Sequence, residues 1–369
     1  MIPANFNNVK IKIKNIIEHK NLKLRDIGEF GWINRVRSRV LQGRSGILAG
    51  IGDDSAWIKS QGSLLITCDL LIENVHFLKD IHPPRLLGRK ALSVNLSDIA
   101  AMSGIPQYAL VAIGFPQDTE LEYADELMEG FLEVAVEHKV ELIGGDTTAS
   151  EKLCLSITVF GKPAHKKPVL RSGAKPGDDI WVTGTLGDAS LGFELLKKSQ
   201  TGELDLSDFH HSSLLVKHFD PDPRVEAGIM LGKIANSMID LSDGLISDLG
   251  HILEESGKKT TVKAEVYLDK LPISKDFKEY FKGNPLDDEN GLSLVLTGGE
   301  DYELLFTAKQ SSRSKILEFS RKLDLPISRV GRIKKGKKAE VILRDEKARK
   351  VKHPRLKFEH FPSQERQMT

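Results

Sequence analysis

The hydrophobic and polar positions divide the chain into strand-length and helix-length segments in mixed order. Ser63 to Leu71 is an apolar run of strand length. Arg89 to Met102 carries Ala, Leu, Val, Ile and Met on most faces, the pattern of a buried helix. Tyr108 to Phe115 reads as a strand, and Leu121 to His138 as an amphipathic helix with Leu127, Phe131, Leu132 and Ala135 on one side. Val140 to Ile143 predicts a short strand that stops at Gly144-Gly145-Asp146, and Leu153 to Phe160 alternates as a strand does. Further on, Asp179 to Thr183 is a strand, and Gly184 to Gly192 is a glycine-bearing turn into a helix. The segment after Asp243 puts Leu245, Ile246, Leu249, Ile252 and Leu253 on one helical face. Leu292 to Leu296 and Tyr302 to Thr307 are expected strands flanking Gly298-Gly299. This order of elements predicts an α/β (α+β) protein.

A chain of 369 residues is long for a single core, so two domains are expected. The Lys-, Pro- and Gly-rich stretch from Gly161 to Gly177 is the best boundary. The expected division is a basic extension over 1–27, an N-terminal domain over 28–162, a C-terminal α/β domain over 163–361, and a polar, disordered tail over 362–369. The formal net charge of +1 gives no case for a nucleic-acid partner. Cys68 and Cys154 form no CxxC and no metal spacing, which reads as two core thiols in a reduced compartment. No apolar run reaches the ~18 residues of a membrane span, and no signal or transit pattern is visible. A cytoplasmic location with no membrane partner is the expectation.

Acidic residues recur in short glycine- or small-residue-rich stretches at six places: IGDD (Asp53, Asp54), TCD (Asp69), NLSD (Asp98), IGGD (Asp146), IDLSDG (Asp240, Asp243) and TGGED (Glu300, Asp301). A carboxylate at the end of a core element is costly to desolvate unless a cation meets it. Oxygen ligands without adjacent His or Cys point to a hard cation, Mg²⁺ above all, and several such ions in one site point to phosphate chemistry. Each stretch also has a plainer reading. IGDD is a common turn. Asp98, sharing a helix face with Asn95, could hydrogen-bond a neighbouring turn. Ser242 or Asp243 could be a helix N-cap, although helix N-termini also attract phosphate. Arg171 offers a bidentate phosphate clamp or a structural ion pair. His76, in ENVHF, is the one histidine close to an acidic stretch. There is no G-x-x-x-x-G-K-[ST] and no protein-kinase signature set.

Taken together and in order, IGDD, TCD with NVHF, KALSVNLSDIAAM, ELIGGDTT, LRSGAKPGDDIWVTGTLGD, IDLSDGLISDLGHI and LTGGEDYELLF resemble the thiamine-monophosphate kinases, from about Gly28 to Phe361. That family belongs to the superfamily of aminoimidazole-ribonucleotide synthetase-like ATP-dependent enzymes. The resemblance implies a two-domain fold whose N-terminal domain forms a shared barrel with its copy in a homodimer, with ATP in the cleft between the domains. It implies ATP and thiamine monophosphate as substrates and Mg²⁺ as cofactor. By motif, Asp54, Thr67, Cys68, Asp69, Asp98, Asp146, Asp240 and Asp243 would form the metal shell, Cys68 through its backbone carbonyl alone. Gly145, Asp146, Arg171 and Ser242 would meet ATP. His76 and Glu300 would meet the thiamine phosphate. Asp98, Asp146, Asp240 and Arg171 would carry the catalysis. The family closes with an aromatic-Asp-His-Phe run, where this chain has Lys357, Phe358, Glu359, His360 and Phe361, so Phe358 is the expected cover of the substrate. Two rivals are another ATP-dependent enzyme of the superfamily, of the aminoimidazole-ribonucleotide or selenophosphate synthetase type, and a non-catalytic nucleotide-binding relative. A reactive selenophosphate-type cysteine is disfavoured because Cys68 lies inside the TCD metal motif.

Overall fold

The computed structural model describes residues 23, 32, 35–40, 47–49, 57–58, 62–205, 213–257 and 261–352. Asp54, Phe358, most of the 1–27 extension and the 362–369 tail lie outside the described residues.

Two sheets carry the chain. Strands β1 (Ile47–Ala49) and β2 (Trp57–Ile58) form a small antiparallel pair before them. The first sheet has four strands in the order β3-β6-β4-β5: β3 (Leu65–Ile72), β4 (Gly104–Phe115), β5 (Glu141–Ala149) and β6 (Cys154–Pro163). Helices α1 (Pro84–Ala101) and α2 (Leu121–Glu137) link these strands. β4 and β5 are parallel, joined through α2, while β6 runs antiparallel to both β3 and β4. Helix α1 begins a turn and more before the sequence expectation. Its Pro84 occupies the first turn, where a missing N–H costs nothing. α1 and α2 pack closely because glycines sit at their crossing. A Cβ on Gly88 would lie 1.8 Å from Leu127 O, and one on Gly130 would lie 1.8 Å from Arg85 O.

Residues of α1, α2 and the inward side of the sheet form one core, including Leu92, Leu96, Ile99, Leu127, Phe131, Leu155, Ile157 and Val159. The other side of the sheet is open: Leu64, Ile66 and Leu70 are exposed, Ile66 at 61%. Cys68 is exposed on this side too. That corrects the core-thiol expectation for Cys68. Strand alternation sends residues 66, 68 and 70 outward and Thr67 and Asp69 inward.

The second sheet has seven strands in the order β13-β12-β9-β11-β7-β10-β8. They are β7 (Asp179–Thr183), β8 (Ala235–Asp240), β9 (Val262–Tyr267), β10 (Leu304–Ala308), β11 (Ile327–Lys335), β12 (Val341–Arg344) and β13 (Lys350–Val351). β12 is parallel to β9, and every other pairing is antiparallel. The helices are α3 (Asp188–Gln200), α4 (Ser213–Phe219), α5 (Val225–Leu231), α6 (Leu245–Gly257), α7 (Lys275–Phe281), α8 (Glu289–Thr297) and α9 (Arg313–Lys322). β7 and β10 are buried along their whole lengths, because the sheet is covered on both faces. Ile180, Val182, Ile239 and Leu305 pack with α3, α6 and α8, while Trp181, Met238 and Phe306 join the core that includes α1. Helix α1 therefore lies between the two sheets.

Two expectations fail here. Leu292 to Leu296 is helical, within α8. The five apolar letters fit either period, and the deciding signal is Asp288, whose side chain caps the helix by accepting from Gly291 N at 2.9 Å. β5 does not stop at the glycine pair but runs through it to Ala149. A register shift falls where Leu110 of β4 pairs with Gly144, and a Cβ on Gly145 would lie 1.8 Å from Val111 O. The glycines let an irregular strand continue at close quarters rather than end it.

Candidate active site

A cavity of about 420 Å³ opens where α1 and β3 face the end of β8, helix α3 and the 298–302 loop. Asp69, Asp98, Asp240, Ser242 and Asp243 line one part of it; His76, Phe193 and Glu300 line another. The two sheets thus bring together carboxylates from four separate motifs.

The acid side is built by short local bonds. Thr67 Oγ1 donates to Asp98 Oδ2 at 2.5 Å, joining β3 to α1. Asn95, one turn before Asp98, accepts from Asp69 N through Oδ1 at 3.0 Å and donates to Ala91 O. The i, i+3 pair on α1 therefore holds the Thr67 side chain and the Asp69 backbone of TCD. Asp240, at the end of β8, accepts from Ser97 Oγ at 2.9 Å, which bonds α1 to the second sheet. Burial, then the nearby Asp98, raises Asp69 to about 6. The same two causes raise Asp240 to about 7. Burial also raises Asp98, opposed by the hydrogen bond from Thr67 and by the positive charge of exposed Arg171. The largest effects on Asp69 and Asp240 are burial and the neighbouring carboxylates. Such clustered, buried carboxylate oxygens suit a hard cation, and Asp69, Asp98 and Asp240 bring no Cys side chain and no His with them. Asp243 is exposed beside them, its N–H donating to Asp248. Ligand atoms of Asp243, Asp248 and His251 lie within 4.8 Å of one another. Helix α6 starts at Leu245, after Gly244 with φ of 101°, so neither Ser242 nor Asp243 lies within it.

The acids of TGGEDYE part company. Asp301 turns into the core and accepts from Gly187 N at 3.0 Å, holding the turn that starts α3. Glu303 accepts from Thr183, Lys217 and Arg224. Glu300 alone of the three faces the cavity. Burial would raise its carboxyl, but Lys90 and then His218 hold it well below the usual range.

Asp146 and Gly145 are not gathered with the others. Registers align Leu70, Ser156, Ala112 and Asp146 across the four strands, so Asp146 projects from the open side of the sheet, exposed. Asp69 projects from the opposite side, three strands away, about 14 Å at the usual strand spacing. Cys68 Sγ also points outward, 3.5 Å from Ser156 Oγ. His76 lines the cavity and accepts from Ile72 N through Nδ1 at 3.0 Å.

Sequence reasoning expected a helix after Gly184 but did not place it, or Lys90, at the site. Ser190, Phe193, Glu194 and Lys197, spaced i, i+3, i+4, i+7, present one helical face to the cavity. Lys197 Nζ lies 4.6 Å above the Phe193 ring, whose centroid lies 5.0 Å from that of buried His218 in a stacked arrangement.

Residues 52–162 match the model of the AIR synthase related protein N-terminal domain, and residues 175–344 match that of its C-terminal domain. The chain therefore belongs to the AIR synthase related proteins, two-domain α/β proteins. Within that class it belongs to the thiamine-monophosphate kinase family, and it is a kinase. The thiamine-monophosphate kinase of Escherichia coli (strain K12) is 38% identical over 309 residues, 83% of this chain and 90% of that one. A crystal structure of thiamine-monophosphate kinase from Stenotrophomonas maltophilia K279a superposes with a TM-score of 0.74 at 39% identity, covering 85% of this chain and 96% of that one. A second solved structure, AaThiL complexed with AMPPCP and TMP, gives a TM-score of 0.68 at 32% identity, covering 93% of this chain and all of that one.

Proposed function

We propose that the protein transfers the γ-phosphoryl group of ATP to thiamine monophosphate, giving thiamine diphosphate and ADP. The observation that carries this reading is the division of one cavity into a carboxylate-rich part (Asp69, Asp98, Asp240, Asp243) and a part with Phe193, His76 and Glu300. The first suits the metal-bound phosphates, and the second suits a ring with a permanent positive charge. A family member solved with AMPPCP and TMP supports the pairing of substrates.

An oxygen of the acceptor phosphate forms the new P–O bond as the β,γ-bridging bond breaks and ADP leaves with the electron pair. The acceptor is anionic at neutral pH, so no side chain has to remove a proton. The obstacle is repulsion: two unit charges 4 Å apart repel by about 4 kcal/mol at an effective dielectric near 20, and both partners carry more than one. Mg²⁺ ions supply charge neutralisation and in-line alignment when bound. Asp69, Asp98, Asp240 and Asp243, with Thr67 and the Cys68 carbonyl, would hold them, joined by Asp54. Arg171 and Ser242 would meet the nucleotide, His76 and Glu300 the thiamine phosphate, and Phe358 would cover it. We assign residues 28–162 and 163–361 as the two domains, and the cytoplasm as the compartment. Among the described residues no helix is long and apolar enough to cross a membrane.

A phosphorus NMR time course with Mg-ATP and thiamine monophosphate tests the reaction. Thiamine diphosphate and ADP should appear in equal amounts. Inorganic phosphate in place of the diphosphate would move the search to another acceptor.

The open side of the four-stranded sheet supports a homodimer with a shared barrel. A sheet face bearing Ile66, Leu70 and Leu64 to water is a surface that association would cover. In that dimer Gly145 and Asp146 lie at the covered face, which is how they would reach a nucleotide. Light scattering after gel filtration should give twice the chain mass, and Ile66→Glu should give the single-chain mass. A wild-type monomer at micromolar concentration would refute the dimer.

A further inference from the structure

We infer that Lys90 is a positioning residue for the reaction: from inside α1 it fixes Glu300 in place, as an anion, for the cationic ring of the substrate. The inference rests on the thiamine-phosphate reading of the cavity and adds to it a residue that does not line the cavity.

Lys90 is 1% exposed, on helix α1, packed at a position as buried as its neighbours Ala91 and Leu92. Burying an ammonium group is costly, and a buried ion pair is often no more stabilising than apolar residues of similar size. Such a pair therefore calls for a reason other than stability. Lys90 Nζ lies 3.3 Å from both carboxylate oxygens of Glu300, a residue 210 positions along the chain on the other sheet's side of the cavity. His218 Nδ1 lies 3.1 Å from Glu300 Oε2. The Glu300 backbone is fixed as well. Gly299, Glu300 and Tyr302 all have left-handed φ, of 72°, 59° and 48°. Glu300 N donates to Ser242 O and Tyr302 N to Leu241 O, each at 2.9 Å. Left-handed non-glycine residues store strain that the surroundings must hold. Both ends of Glu300 are thus pinned, while its side chain stays one-quarter exposed at the cavity wall.

Removing the Lys90 charge leaves burial to favour the neutral acid, and a neutral acid does not attract a cation. Of the groups around the pair, His218 also holds Glu300 low, but the Lys90 charge is the largest single cause that does so. His82 before α1 and His218 on α4 are both driven towards neutrality by burial and by Lys90. Lys197 on α3 is an exposed cation above Phe193. Tyr302 on the same loop is held protonated by burial and by Glu300, Asp69, Asp240 and Asp98, which are themselves acids.

The test is the pH profile of KM for thiamine monophosphate in the full-length wild type, Lys90→Met, Lys90→Arg and the Lys90→Met/Glu300→Gln double variant. Lys90→Met should raise KM at least tenfold at neutral pH, with kcat within a few-fold. Its KM should gain an acid-side ionisation absent from the wild type. Lys90→Arg should restore the wild-type profile, and the double variant should lose the added ionisation. If Lys90→Met does not fold, Lys90→Gln, an uncharged donor of similar reach, takes its place with the same expectation. A folded variant that loses kcat equally at every pH, or keeps the wild-type KM profile, overturns the inference while leaving the substrate reading intact. A wild type that turns over ATP but not thiamine monophosphate overturns the substrate reading, and this inference with it.

Discussion

Asp240→Asn and Asp98→Asn are each expected to lose turnover by ~10³-fold or more while the metal-free protein keeps or gains thermal stability. The opposite signs follow from one cause. Asp240 is buried at the end of β8, and its carboxyl is raised to about 7 by burial and then by Asp98. With no cation bound, these charges oppose folding. An amide has nearly the same shape, retains an oxygen that can accept from Ser97 Oγ, and removes the repulsion. On the proposed function, with substrates and Mg²⁺ present, the same change removes an anionic ligand from a site that would hold positive charge against polyphosphate. Steady-state kinetics and a melting curve in EDTA, on the same preparation, read both effects. A folded Asp240→Asn enzyme turning over at the wild-type rate would remove Asp240 from the site. A variant that is inactive because it has melted would make Asp240 structural.

The sequence showed the acid side of the cavity well because its contacts are local or periodic. Asn95 and Asp98 share a helix face by spacing alone, and both meet the TCD strand. Asp243 precedes an unmistakable amphipathic helix, and its neighbour Asp240 ends a strand. What the sequence could not show depends on the approach of the two sheets. Nothing local marks Lys90, because a lysine amid apolar residues reads as a side chain reaching for water, and its partner is 210 residues away. The stripe Ser190, Phe193, Glu194 and Lys197 is visible as one helical face, but only the packed structure says that this face meets a cavity rather than solvent. Three acids within TGGEDYE look alike in the sequence and do three different things. The outward turn of Cys68 was hidden because the strand around it is apolar on both sides, so alternation left no trace in the letters.

Magnesium should raise the melting temperature, and the gain should be larger at about pH 8 than at about pH 5.5. Asp69 and Asp240 have folded values of about 6 and about 7, above the ordinary 3.8. Between the ordinary value and those values, the folded chain binds more protons than the unfolded one. The unfolding free energy of the metal-free protein from this source therefore falls as pH rises through that window, and is level above it. Glu303 has the opposite sign. Burial would raise it, but Lys217 and Arg224 hold it low, so its contribution is lost only as pH falls through that depressed value. Below about pH 6.5 the buried histidines His82, His138 and His218, all lowered from the ordinary value, act with the opposite sign to the raised acids, so it is the magnesium difference and not the metal-free curve that reads the carboxylates. A divalent cation binds the ionised carboxylates and competes with protons for them. At a hundredfold excess over Kd, one site adds about 2.7 kcal/mol, which is several degrees for a protein of this size. At about pH 5.5 the protons already occupy much of the site and the gain shrinks. Melting curves with EDTA and with millimolar MgCl₂ at both pH values give the comparison directly. The Asp98→Asn/Asp240→Asn double variant should lose most of the magnesium gain at about pH 8. An equal gain at both pH values, or one that survives in the double variant, would mean that magnesium stabilises the protein somewhere other than at this cluster.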